Sequence, residues 1–190
     1  MCSRIETVEN SNILIESIRN NDLIEFRKII KLYNLDTSYK DDISILLAVQ
    51  NNNPEMVKSL LKNKNTNPCV NYGQPLQDAC KNGYYDVFLL LINHTRVVKY
   101  NLYYSFSLAI THGHTKIAKH LFDHYKSNII NKLLLNNNLV LKNSFKVAFE
   151  NKKNDTLLYL FSISEIREQI MKEKDPEYDR IKAFCNIHYF

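Results

Sequence analysis

The sequence predicts an all-α protein, a helix-pair solenoid of about five degenerate repeats closed by a helical C-terminal cap. A small residue returns inside one apolar frame at Ser17, Ala48, Ala79, Ala109 and Ala148, with gaps of 31, 31, 30 and 39. Each return is followed by a second apolar stretch at helical spacing, and a period near 30 marks stacked helical units. A content of 45% hydrophobic and 24% charged residues agrees with a folded chain and excludes generic disorder.

The repeats are placed at about 9–38, 39–69, 70–99, 100–138 and 139–161, with capping helices over 162–190, so that 1–190 forms a single domain. In the first, the frame 12–21 precedes Phe26, Ile29 and Ile30. In the second, 43–52 precedes Val57, Leu60 and Leu61. The third pairs 74–83 with Phe88, Leu91 and Ile92, and the fourth pairs 104–113 with Ala118, Leu121 and Phe122. The fifth pairs 143–152 with Leu157, Leu160 and Phe161. The small residue marks a close approach of two helices, where a bulky side chain would overpack at a cost of roughly 1–3 kcal/mol. Gly83 and Gly113 supply the left-handed residue that ends a first helix, Asn21 and Asn52 do so at higher cost, and Lys152 stands where glycine is expected.

The long gap before the fifth repeat is filled by 127–141, whose Leu and Ile content predicts a longer second helix or an extra packed turn. A protruding loop that grips a partner is the alternative. Beyond Phe161 the pattern continues through Ile163, Ile166, Ile170 and Met171, breaks near Pro176, and resumes at Tyr178, Ile181, Phe184 and Ile187. Two more short helices are predicted, with Pro176 starting the second, because the last repeat must cover the apolar face it exposes.

The third and fourth units resemble the ankyrin repeat. Gln74, Pro75, Leu76, Gln77, Asp78 and Ala79, with Gly83 four residues on, lie on that family's Thr-Pro-Leu-His-x-Ala-x-x-x-Gly pattern, and Phe106 to His114 match its second half. Pro75 suits a first helical position, where its missing N–H would be unpaired anyway. Only this unit keeps the proline, and the usual histidine is absent from all five. The few glycines and abundant asparagines resemble the diverged ankyrin proteins of large DNA viruses, of intracellular bacteria and of some protists.

No catalytic constellation accompanies the repeats. His120 and His124 share a helix face at i, i+4, as metal ligands sometimes do, but no HExxH pattern flanks them, and no metal or cofactor is expected. The glycines are isolated at 73, 83 and 113, which excludes a glycine-rich phosphate loop. An enzyme is therefore not expected. The net charge of +5 comes from dispersed lysines with no nucleic-acid motif, so nucleic acid is a minor alternative partner. Four cysteines without a CxxC pair, no apolar signal core and no stretch of about 20 apolar residues point to a reduced, cytoplasmic, unsecreted, non-membrane chain, with the Asn93 and Asn154 glycosylation patterns idle.

The resemblance implies a non-catalytic module that binds another protein, a host protein if the chain is viral, through a concave groove and its loop tips. In the family's geometry, loop tips and late first-helix positions line that groove. Carried onto this sequence, these are Tyr39, Lys40, Asp42, Gln50 and Asn51, then Val70, Asn71, Lys81 and Asn82. Tyr100, Asn101, Tyr103, Thr111 and His112 follow, and Lys142, Glu150 and Asn151 come last. Tyr100, Tyr103 and Tyr104, near Tyr84 and Tyr85, form the expected hot spot, since tyrosine offers large amphipathic area with few rotors to freeze. Self-association as a structural component and a ubiquitin-ligase adaptor role are the other readings. The sequence leaves the oligomeric state open, with monomer favoured.

Overall fold

The computed structural model describes residues 2–33, 39–97, 102–135 and 139–189, and the side chains of 2–8, 32–33, 39–41, 132–135, 139–141 and 189 lie outside that description. Among the described residues every regular element is helical. By compactness the chain divides into two units, Met1–Ala79 with Tyr84–Lys99 and Cys80–Gly83 with Tyr100–Phe190.

The first unit holds α1 (Cys2–Arg19), α2 (Leu23–Tyr33), α3 (Tyr39–Gln50), α4 (Pro54–Lys62), most of α5 (Val70–Asn82) and α6 (Tyr85–Ile92). Leu14, Ile18, Phe26, Ile45, Val57, Leu60, Phe88 and Leu91 are buried there at the predicted apolar positions. The second unit takes the end of α5, then α7 (Leu102–His112), α8 (Thr115–Leu135), α9 (Leu139–Glu150), α10 (Asn154–Ser162), α11 (Ser164–Lys172) and α12 (Pro176–Tyr189). Its core gathers Phe106, Ile110, Leu121, Phe145, Leu157 and Phe161.

The recurring small residue is buried in every repeat. Its carbonyl also closes the helix that carries it. The carbonyls of Ser17, Ala48, Ala79, Ala109 and Ala148 accept the N–H five residues on, from Asp22, Asn53, Tyr84, His114 and Lys153, at 2.8–3.1 Å. This is the outer bond of a Schellman turn, which needs one left-handed residue in between. That residue is Asn21 (φ 55°), Asn52 (51°), Gly83 (76°), Gly113 (80°) or Lys152 (55°). The post-turn residue also meets the turn of the preceding repeat. The Asn53 side-chain amide donates to Asn21 Oδ1 at 2.7 Å. His114 lies over Gly83 and Lys153 over Gly113, each where an added Cβ would collide.

Three elements depart from simple helices, the first being α3, where Asp42 holds φ 57°. Within α5, Asn71 (φ 50°), Tyr72 (59°) and Gly73 (85°) form a left-handed turn, so the right-handed helix runs only from Gln74, with Pro75 in its opening turn. In α8, the predicted lengthening is present as two helical segments joined at Tyr125 (φ −131°), and the second reaches Leu135. The predicted insertion also includes 136–138, which lie outside the described residues.

At the C-terminus, α11 follows α10 directly and Pro176 opens α12, as the pattern predicts. α12 packs on α9 and α10, with Phe184 set edge-on to Phe149 at 5.8 Å. Ion pairs join Lys142 to Glu173 and Lys126 to Glu165, each at 2.6 Å, and Lys146 to Glu177. Solvent-accessible carboxylate–ammonium pairs of this kind contribute little to stability.

Candidate functional site

The candidate positions divide between the two units. In the first, Gln50 and Asn71 are exposed, and the Asn71 amide donates to Gln74 Oε1 at 3.1 Å. Asp42 is not a tip residue. It lies in α3 at φ 57°, 8% exposed, and its Oδ1 accepts the Asn67 N–H at 2.8 Å. The carboxylate is used to fasten the loop before α5, because a buried charge must find a donor. Asn51 is half-buried and its amide donates to the Ile18 carbonyl, joining the second repeat to the first. Val70 is also buried. The Tyr39 and Lys40 side chains lie outside the described residues, although their backbone opens α3.

The residue that stands out at the tip is one the pattern did not single out. Tyr72 is 82% exposed, yet its backbone holds the left-handed region at φ 59°. A side chain in that region costs roughly 1–2 kcal/mol, so the surroundings must hold it. They do so through the Gly73 N–H to the Cys69 carbonyl at 3.0 Å and the Gln77 Nε2–H to the Tyr72 carbonyl at 2.9 Å. Its neighbour Gly73 is the cue in the sequence, since a glycine ahead of a helix-opening proline signals a left-handed turn.

In the second unit Lys81 and Asn82 are exposed at the end of α5. Thr111 and His112 are half-buried, and each donates back to its own helix, Thr111 Oγ1 to the Ser107 carbonyl and His112 Nδ1–H to the Leu108 carbonyl, both at 2.9 Å. His114 Nε2–H donates to the Lys81 carbonyl at 2.9 Å, which ties two turns together. Burial, and then the nearby positive charges of His112 and Lys153, lower its basicity against the opposing hydrogen bond. Tyr103 is half-buried and Tyr104 is 45% exposed, so the exposed ring of this pair is Tyr104. Tyr100 and Asn101 lie outside the described residues. Lys142 is engaged with Glu173, while Glu150 and Asn151 are exposed.

Two other features resolve into structure. His120 and His124 stack at 4.2 Å, but no group of three or more metal-ligating side chains occurs among the described residues. Cys80 is fully buried and its thiol is pushed well above the ordinary range by desolvation, so it is a packing residue rather than a nucleophile. In the first unit Arg96 is a residue sequence reasoning missed. Its Nη1 donates to the carbonyls of Lys64 and Thr66 at 2.7 Å, and its Nη2 to those of Leu61 and Asn63 at 2.9 Å. It thereby satisfies carbonyls at the end of α4 and in the loop that follows. A lone arginine between two repeats carries no sequence signal for such a role.

No described helix is long and apolar enough to cross a membrane. No curated protein and no solved structure matches this chain. A family model described as ankyrin repeats (3 copies) matches residues 8–103 and, in a second register, 45–132. The two matches together span about two thirds of the 190 residues and cover the turns at Asn21, Asn52, Gly83 and Gly113. With that span and the helix-closing bonds recurring in the same register, the chain belongs to the ankyrin-repeat family.

Proposed function

We propose that this chain is a non-catalytic module that binds another protein, and that the tip at Asn71 and Tyr72 is a leading contact. Ankyrin repeats generally mediate protein–protein interaction. The observation that carries the reading is Tyr72, a large amphipathic side chain held 82% exposed on a left-handed backbone. Strain of this kind persists where the surroundings over-determine it and clusters at functional sites. Tyrosine is among the residues that dominate interface energetics. Where such a chain serves a virus or an intracellular bacterium, the partner belongs to the host.

Affinity capture from the native cell tests this. Tyr72→Gly removes the ring while relaxing the turn. The partner retained by the native chain is expected to fall roughly tenfold or more, with the thermal midpoint unchanged or raised. Undiminished retention would sink the Tyr72 site. The Tyr100→Ala, Tyr103→Ala double variant tests the other tyrosines separately.

A further inference from the structure

We infer that the turn edge of the second unit is a docking surface for an acidic protein segment ending in a bulky apolar side chain. The inference rests on the protein-binding reading above and specifies the chemistry of a partner. Three turns meet at this edge, contributing Lys81 and Asn82, then His112 and His114, then Lys152 and Lys153. Their order is set by contact. His114 bonds the Lys81 carbonyl and covers Gly83, and the Lys153 stem covers Gly113. The Thr115 and Thr156 hydroxyls share a hydrogen bond at 2.6 Å, which brings the first turns of α8 and α10 together behind the row.

Charge distinguishes this row from the equivalent turns of the first unit. Those turns carry Asn21, Asp22, Asn52 and Asn53, and Asp22 Oδ1 accepts the N–H groups of Ile24 and Glu25 at 3.0 Å. In the second unit the residue before α10 is Lys153, and no side chain caps that helix. Its positive end and the lysines therefore reinforce one another. Lys81 and Lys152 are exposed, and among the described residues neither they nor Lys153 forms an ion pair. Glu150 and Asp155 flank the row without closing it.

The row leads into a cavity. Lys152 also lines a recess of about 360 Å³ between α9 and α12, floored by Phe149, Ile181 and Phe184, with Arg180 over the Phe149 ring at 5.8 Å. Helices pack about 8–10 Å apart, so three turns span roughly 20 Å, the reach of about six extended residues. An acidic stretch of that length along the lysines places its next side chain at the recess. Glu150 and Glu177 in the recess wall disfavour a phosphate backbone there, which makes protein the better fit than nucleic acid.

Fluorescence anisotropy of the full chain with a labelled hexaglutamate peptide ending in C-terminally amidated phenylalanine tests this. Binding is expected at low salt, weakening as salt rises. It should fall roughly tenfold in Lys81→Glu, Lys152→Glu and less in Lys81→Gln, Lys152→Gln, and hold in Lys58→Glu, Lys62→Glu, whose lysines lie on α4. A peptide ending in alanine should bind several-fold more weakly. No binding, undiminished binding by the first variant, equal affinity for the two peptides, or tighter binding of single-stranded DNA each overturns the inference. If the captured cellular partner stays bound to Lys81→Glu, Lys152→Glu, this surface is wrong and the protein-binding reading stands.

Discussion

Lys152 shows what a single position costs in this array. It holds φ 55° at the turn where the third and fourth repeats use glycine, because the Ala148 carbonyl must accept the Lys153 N–H. Lys152→Gly is expected to raise unfolding stability by about 0.5–1 kcal/mol in urea titration, the relief of a left-handed side chain less the freedom glycine gains when unfolded. Gly113→Ala is expected to cost more, about 2–3 kcal/mol, since its Cβ would meet the Lys153 stem as well as an unfavourable φ. Arg96→Ala should destabilise by about 2–4 kcal/mol, and Arg96→Lys should recover little, because one ammonium cannot span four carbonyls. Equal stability of the lysine variant and the native chain would refute that account. At this scale the sequence showed which turns need a left-handed residue. It did not show that Asp42 and Asn51 are drawn inward, because their partners, the Asn67 N–H and the Ile18 carbonyl, are 25 and 33 residues away.

Among the elements, the C-terminal pair was legible because an apolar period interrupted by a proline is a local signal. What it covers was not. α12 buries Tyr178, Ile181 and Cys185 and lies against α9 and α10, and α11 adds Ile166 and Ile170. Ending the chain after Ser162 is expected to cost the second unit on the order of 5 kcal/mol, from the apolar area returned to water. Circular dichroism melting would then show a lost or strongly lowered transition, whereas an unchanged midpoint would mean the pair is dispensable. The tip in α5 makes the opposite point. Gly73 ahead of Pro75 is a local cue for a turn that the repeat pattern passed over, and only the backbone showed three successive left-handed residues and hence the projection of Tyr72.

Across the molecule, acidity should erode the fold in a defined window. His94, His114 and His120 all have lowered pKa values, with burial the largest cause in each, so the unfolded chain binds their protons more readily. Stability is therefore retained above the ordinary histidine value of 6.5 and lost as pH falls through it toward the folded values. Glu165, held down to about 2 chiefly by Lys126, loses its contribution only at pH values below the ordinary carboxylate range. The melting midpoint should drop between pH 7.5 and 5.5, and a flat or rising profile would contradict this assignment. Family and helix-pair architecture were determined by the sequence alone, because repetition at a fixed period is a property of the chain and each turn's requirement is local. Which side chains remain outside was decided only by tertiary structure. Exposure depends on partners brought near by folding, which turned Asp42 and Asn51 into fasteners, gathered Lys81, Lys152 and Lys153 on one edge, and left Tyr72 at the tip.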